Sequence, residues 1–278
     1  MSGAIWLSSY PRSGNTWARL ALKSLSEDGA PVGINRLDDF GGVMTKRGMF
    51  DTLLDVDSAD LTRDEIANLR PVVHDLFFAF HPAPRLTKVH DRWFRNPAGR
   101  PVFDAAHTSG AIYLIRDPRD VAVSWARFSA TSIDVSIAYL ADREARLADS
   151  RAQLYEHIPQ WLGSWSEHAA SWIDDSGLMP LVVRYEDMIA DHHSALARMA
   201  AYLGWTVDDA AIARAAAATA FDELSEEERR HGFAELPDSA QRFFVAGRAG
   251  GWRDVLSAAQ SAAIERDHAA VMRRFGYL

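Results

Sequence analysis

A short apolar run at residues 4–8 breaks into a polar turn and then a helical stretch over residues 16–25, all within the first 25 positions. A strand that feeds a helix through a tight turn presents free backbone N–H groups there, together with the positive end of the helix dipole. The turn reads Ser8-Ser9-Tyr10-Pro11-Arg12-Ser13-Gly14-Asn15-Thr16-Trp17. Gly14 lets the chain bend closely around an oxyanion, and Arg12 adds a full charge. Ser13, Asn15 and Thr16 add short polar side chains. The same residues also suit an ordinary strand–turn–helix with Ser13 or Thr16 as the helix cap. A Walker loop would need Gly-x-x-x-x-Gly-Lys-Ser/Thr, which is absent and disfavours an ATPase or GTPase. By itself the turn supports no more than a phosphate binder.

Further β-rich runs at residues 86–89, 111–115 and 181–184 alternate with helical stretches, one of which starts near Arg119 behind Asp117-Pro118. Strands separated by helices imply parallel pairing through crossovers. Such sheets take ligands at the carboxyl ends of their strands. The expected fold is α/β: a single domain over residues 1–278, with a parallel central sheet flanked by helices and a P-loop-like phosphate-binding loop after the first strand. Residues 41–71 and 223–247 read as mobile excursions from that core, the second opening on a dense charge run at Glu223.

Composition removes several classes of function. With 30 basic against 38 acidic residues the net charge is −8. That argues against nucleic acid or an anionic membrane as the main partner, but leaves room for one local basic pocket. There is no cysteine, so disulfides, thiolate metal sites and cysteine nucleophiles are excluded. The ten histidines show no His-Glu-x-x-His spacing, and no metal is expected. The opening residues lack the pattern of a signal peptide, and no run approaches the roughly 18 apolar residues of a membrane span. The expected compartment is the cytoplasm.

A second cluster runs from strand into helix: Tyr113-Leu114-Ile115-Arg116-Asp117-Pro118-Arg119-Asp120-Val121-Ala122-Val123-Ser124. Arg116 at the strand end can fork two N–H donors onto a phosphate, and Ser124 follows two turns into the helix. Surface ion pairs Arg116-Asp117 and Arg119-Asp120, of little energetic worth, fit the same residues. Taken in order, the two clusters resemble the first two signatures of the cytosolic-type sulfotransferases, which use 3′-phosphoadenosine 5′-phosphosulfate (PAPS) as donor. The family's first signature reads close to Tyr-Pro-Lys-Ser-Gly-Thr-Thr-Trp, and Tyr10 to Trp17 matches it with Arg12 for Lys and Asn15 for Thr. Arg is a planar fork where Lys is a point charge, so that exchange is not neutral.

The resemblance implies that Arg12, Ser13, Gly14, Asn15 and Thr16 wrap the 5′-phosphosulfate, with Arg12 on the bridging oxygen and Trp17 stacked on adenine. It implies that Arg116 and Ser124 hold the 3′-phosphate. It places Tyr185, in Arg184-Tyr185-Glu186-Asp187-Met188, near the adenine, and Thr219 and Phe221 along the nucleotide; core packing accounts for these three as well. Gly163-Ser164-Trp165, His168 and Trp172 are similar to a helix of structural role in the family. Phe275-Gly276-Tyr277 at the end also has a family look.

Two departures stand out. The family's third signature, Arg-Lys-Gly-x-x-Gly-Asp-Trp-Lys, aligns with Gly247 and Trp252 but finds Val245 and Ala246 where the basic pair should be; Arg248 is the substitute candidate for the 3′-phosphate. This pattern is closer to bacterial sulfotransferases of secondary metabolites, such as glycopeptides, than to animal detoxifying enzymes. The family's dimer signature would fall at Arg253, Ser257, Ala258 and Ala262 and is degraded, which leaves the oligomeric state open.

Leu86-Thr87-Lys88-Val89-His90 is the candidate base segment. Strand alternation puts Lys88 and His90 on one side, and the run resembles the family's Lys-Thr-His, whose His takes the acceptor proton. An imidazole of ordinary pKa, about 6.5, can accept a proton near pH 7. Lys88 would stabilise the transferring group. His74, His81 and His107 are nearby rivals. The expected partner is a small-molecule hydroxyl, a phenol or an alcohol, with Phe77, Phe78, Phe80, Trp93 and Phe94 as pocket or core residues. The alternatives are a non-Walker small-molecule kinase and a sensor that binds phosphoadenosine nucleotides without turnover.

Overall fold

The computed structural model describes residues 3–37, 40, 42–81, 85–150, 152–236, 240–245 and 247–278. In chain order its elements begin with β1 (Ala4–Ser9), α1 (Asn15–Ser26), β2 (Gly42–Val43), α2 (Arg47–Leu54), α3 (Arg63–Phe80), β3 (Arg85–Val89), β4 (Thr108–Ile115), α4 (Pro118–Ser129) and α5 (Ile133–Ala141). They continue with β5 (Arg146–Leu147), β6 (Gln160–Trp161), α6 (Trp165–Ala170, prolonged by a π-turn over Ser171–Asp175), β7 (Leu181–Arg184), α7 (Tyr185–Ala190), α8 (His192–Tyr202), α9 (Asp209–Ala218), α10 (Phe221–His231) and α11 (Ala258–Arg274).

The chain divides into two compact units, one of residues 1–10, 41–113 and 142–180, the other of residues 11–40, 114–141 and 181–278. In the first, β1 pairs in parallel with β3, Ala4 opposite Arg85 and Ser8 opposite Val89, and β2 pairs in parallel with β3 through Thr87 and Lys88. The strand order there is β2-β3-β1-β4. Ala4, Trp6 and Leu7 are at most 1% exposed, as expected of a parallel strand covered on both faces. Trp6 anchors this core: its ring meets Phe103 and Phe78 edge-on, and its indole N–H donates to Thr108 Oγ1 at 2.9 Å.

The last two residues of β4 belong to the second unit, where β7 is their neighbouring strand. Here α1 is buried from Asn15 to Leu25, as a helix enclosed on all sides must be, and it packs on α8 and α9. Helix α4 starts at Asp117, whose carboxylate accepts the Arg119 N–H, with Pro118 in the first helical position where its missing donor costs nothing. It packs on α5 and α11.

Residues 41–71 hold more regular structure than their sequence discloses. They contain β2, α2 and the start of α3, which opens on a reciprocal cap between Thr62 and Glu65 and runs through Pro71 to Phe80. Residues 63–69 are the opening turns of this 18-residue helix. Glu223 and the charge run behind it lie in α10, with basic Arg229, Arg230 and His231 in its last turn where they complement the helix dipole.

Candidate active site

The phosphate turn is built around a left-handed glycine. Gly14, at φ 98° and ψ 11°, is the N-cap of α1, and no side chain caps the helix. Neither Ser13 nor Thr16 holds that position, because the turn needs a conformation that only glycine adopts without strain. Ser13 is buried instead, and its hydroxyl has no hydrogen-bond partner among the described residues. A buried hydroxyl left so costs about 1–3 kcal/mol, which an incoming oxyanion would recover. Asn15 and Thr16 are buried too, Thr16 reaching Glu235 at 3.5 Å.

Arg12 also has a left-handed backbone, at φ 69°. Its Nε donates to Ser124 Oγ at 3.0 Å and its Nη2 to the Phe243 carbonyl at 3.4 Å. The Phe128 and Phe243 rings, nearly perpendicular to each other, lie 4.5 and 4.3 Å from the guanidinium, a cation–π arrangement. Arg116 donates from Nη1 to the Arg12 carbonyl at 3.1 Å and lies 4.1 Å above the Tyr185 ring. Its Nε has no partner among the described residues. Burial, and then the Arg116 charge, push the Arg12 guanidinium down to about 10, with Tyr185 and Glu228 opposing. Two crowded cations and an unsatisfied hydroxyl around a helix N-terminus fit a phosphorylated ligand.

Further residues enter this assembly that the sequence did not point to. Glu228, buried, accepts from the N–H groups of Phe243 and Phe244 and so holds Phe243 over Arg12. Phe128, four residues beyond Ser124, shares its helix face, a signal that was readable; Phe243 carried none. Trp17 donates from Nε1 to the Thr219 carbonyl at 2.8 Å and is stacked on His192 at 4.5 Å, with its edge toward Tyr185. Thr219 is fully buried and bonds to His192 and to the Ala215 carbonyl. Burial raises the Tyr185 phenol and lowers the His192 imidazole to about 4.

The second signature is not a set of surface pairs. Arg119 is 6% exposed and binds Asp117, Glu265 and the Tyr277 carbonyl. Asp120 accepts from the N–H groups of Gly250 and Trp252, tying the third-signature loop to α4. In that loop Gly247 lies against Phe221, Ala246 is outside the described residues, and Arg248 pairs with Asp254 at 2.6 Å on an exposed face. Arg253, Ser257, Ala258 and Ala262 are exposed, and Ser257 caps α11.

Lys88 and His90 belong to the first unit; the other named site residues belong to the second. Lys88 and His90 are half-buried while Thr87 and Val89 are buried, so the alternation expected of the strand holds. His90 Nδ1 lies 2.9 Å from the Ser9 carbonyl and 3.4 Å from its hydroxyl. An N–H donated there places the proton-accepting lone pair on Nε2. The rivals are engaged elsewhere. His74 is buried against Val102 and held down at about 3 by burial, His81 stacks on Phe77, and His107 pairs with Asp75. Phe78 packs on Trp6, Phe94 on Trp161, and Phe80 is largely exposed.

No helix among the described residues is long and apolar enough to cross a membrane. Comparison with known proteins places this geometry. The sulfotransferase domain model matches residues 2–276. Sulfotransferase 1A1 of Canis lupus familiaris is 23% identical over 97% of this chain and 83% of its own length, and Sulfotransferase 1B1 of the same species is 24% identical over 92% and 79%. Among solved structures, a mouse sulfotransferase complexed with PAP superposes at a TM-score of 0.58 with 21% identity, covering 97% of this chain and 84% of that one. Retinol dehydratase in a complex with retinol and PAP superposes at 0.61 with 20% identity over 97% and 81%. Parallel sheet, flanking helices and phosphate turn are therefore the fold of these enzymes, and the chain belongs to the sulfotransferase family.

Proposed function

We propose that this chain transfers a sulfuryl group from PAPS to the hydroxyl of a small molecule, a phenol before an aliphatic alcohol. The observation that carries the reading is the Arg12–Arg116 pair beside the Gly14 turn, with the Arg116 guanidinium donating to the Arg12 backbone carbonyl and the unsatisfied Ser13 hydroxyl in the same turn. Bound PAPS supplies an activated sulfuryl group and a stable leaving group, adenosine 3′,5′-bisphosphate. The turn's N–H groups and Arg12 take the 5′ end and offset the charge that develops as the S–O bond to phosphate breaks. Arg116 and Ser124 take the 3′-phosphate, and Trp17, Tyr185, Thr219 and Phe221 the adenosine. His90 Nε2 accepts the acceptor's proton as its oxygen bonds to sulfur, and Lys88 offsets charge on the transferring group. A phenol, with pKa near 10, gives up that proton more readily than an alcohol.

Thermal melting tests the nucleotide. Adenosine 3′,5′-bisphosphate is expected to raise the melting temperature more than ATP with magnesium; an equal or larger shift with ATP refutes the reading and favours a kinase. His90→Ala is expected to keep nucleotide binding and lose sulfation of a phenol panel, read as a mass gain of roughly 80 Da on the acceptor. Undiminished turnover removes His90 as the base.

A further inference from the structure

His90 sits just past the end of β3, where the chain no longer repeats and its backbone groups must find partners elsewhere. They find them on one helix. His168 Nε2 lies 2.9 Å from the His90 carbonyl, Trp172 Nε1 donates to the Asp91 carbonyl at 2.8 Å, and Ser171 Oγ accepts from the Trp93 N–H at 3.0 Å. Positions 168, 171 and 172 are spaced three and four apart, so α6 and its π-turn present them as one face. His168 and Trp172 are fully buried and Ser171 nearly so.

The His168 tautomer is set from behind. To donate to a carbonyl, Nε2 must carry the hydrogen, so Nδ1 accepts, and it faces the Tyr113 hydroxyl at 2.9 Å. Burial holds the ring neutral, at about 4. Asp91, next in the chain, is pinned as well: its carboxylate takes both Nη atoms of Arg70 at 2.7 Å and the Trp161 N–H at 2.7 Å.

We infer that His168 and Trp172 are positioning residues for the reaction: through the His90 and Asp91 carbonyls they fix the backbone that carries the base, while the Ser9 carbonyl fixes its ring. This rests on the reading of His90 as the base. Once backbone and Nδ1 are both held, Nε2 has one place to be, and a displacement of about an ångström costs on the order of a hundredfold in rate.

Three variants test it, with turnover counted per molecule able to bind adenosine 3′,5′-bisphosphate, so that misfolded protein is not read as lost chemistry. His168→Leu removes the donor; kcat is expected to fall about 10- to 100-fold with the KM for PAPS unchanged. His168→Gln restores an N–H and is expected to recover most of that loss. Trp172→Phe keeps an aromatic ring while removing the N–H donor and part of the indole's volume; kcat is expected to fall several-fold. A kcat within about twofold of the parent in both His168→Leu and Trp172→Phe overturns the inference, and Trp172→Phe decides alone if His168→Leu does not fold. Run beside them, His90→Ala separates the two failures. If it keeps turnover, the base reading falls and the clamp with it. If it abolishes turnover while the clamp variants do not lower kcat, only the clamp falls.

Discussion

Replacing Gly14 by alanine puts two separable costs on the phosphate turn. The first is backbone strain, because an L residue at φ 98° pays about 1–2 kcal/mol. The second is steric: the new Cβ would lie 2.8 Å from Tyr185 Cδ2, so the ring must retreat by about half an ångström to reach ordinary contact. It has little room, since Tyr185 is 6% exposed, faces the edge of Trp17 and carries Arg116 on its face. Overpacking of that kind costs about 1–3 kcal/mol. Together the two come to about 2–5 kcal/mol, or a fall in melting temperature on the order of 5–15 °C for a chain of this length. The protein supplies its own controls. Gly99 has φ 85° and nothing within 4 Å of an added Cβ, so Gly99→Ala isolates the strain and is expected to lose about 2–6 °C. Gly48, in α2, has neither positive φ nor a neighbour within 4 Å, and Gly48→Ala is expected to gain about 0.5–1 kcal/mol. Melting curves of the three, with Tyr185→Leu added to Gly14→Ala to return the space, separate the terms. If Gly14→Ala loses no more than Gly99→Ala, the close approach of Tyr185 to the turn is wrong.

Two further outcomes follow from buried charge. His74, His168 and His268 are buried and held at about 3, about 4 and about 4, below the unfolded value. Folded values below unfolded ones mean that the unfolded chain takes up protons first. Stability is therefore full above about pH 6.5 and is lost as pH falls toward 4, each histidine adding about 1.4 kcal/mol per pH unit inside that window. Urea unfolding at pH 7 and 5 reads the slope; His268→Gln is expected to remove about one proton from it, and an unchanged slope refutes the assignment. The Arg70–Asp91 pair is buried and bidentate, so Asp91→Ala, which strands a buried guanidinium, is expected to cost about 3–5 kcal/mol in the same assay, against almost nothing for loss of the exposed Arg229–Glu226 pair.

What was legible in the chain was what lies along it. The phosphate turn and the run from Tyr113 to Ser124 each join a strand to a helix without interruption, and such contiguous chemistry can be read from spacing. Strand boundaries came within a few residues, most directly at β1, which is buried along nearly its whole length and apolar from Ala4 to Leu7. The helix cap did not follow from residue preference. Ser13 and Thr16 are good caps, yet the turn closes on Gly14, since a left-handed φ at that position favours glycine over a capping side chain. The body of residues 41–71 was hidden for another reason. Helix α2 buries only Phe50, too little to give a periodic signal, and α3 passes through Pro71, where a sequence reading expects a helix to stop.

The surroundings of the site were beyond reach because each of its determinants meets a partner far away in sequence. Arg12 acquires its environment from Phe128 and Phe243, and Phe243 keeps its place through Glu228; no spacing rule links positions 12, 228 and 243. The helix with His168 and Trp172 shows the same gap in a sharper form. Its residues were recognisable, yet they read as packing, because two large buried side chains on one helix face most often are. What separates packing from positioning is the atom each one reaches. A ring filling space against any neighbour would be interchangeable with another ring. An indole N–H and an imidazole N–H on two successive carbonyls, beginning at His90, specify where the segment bearing that histidine must lie, and Trp172→Phe removes one of those two donors while keeping an aromatic ring in the site.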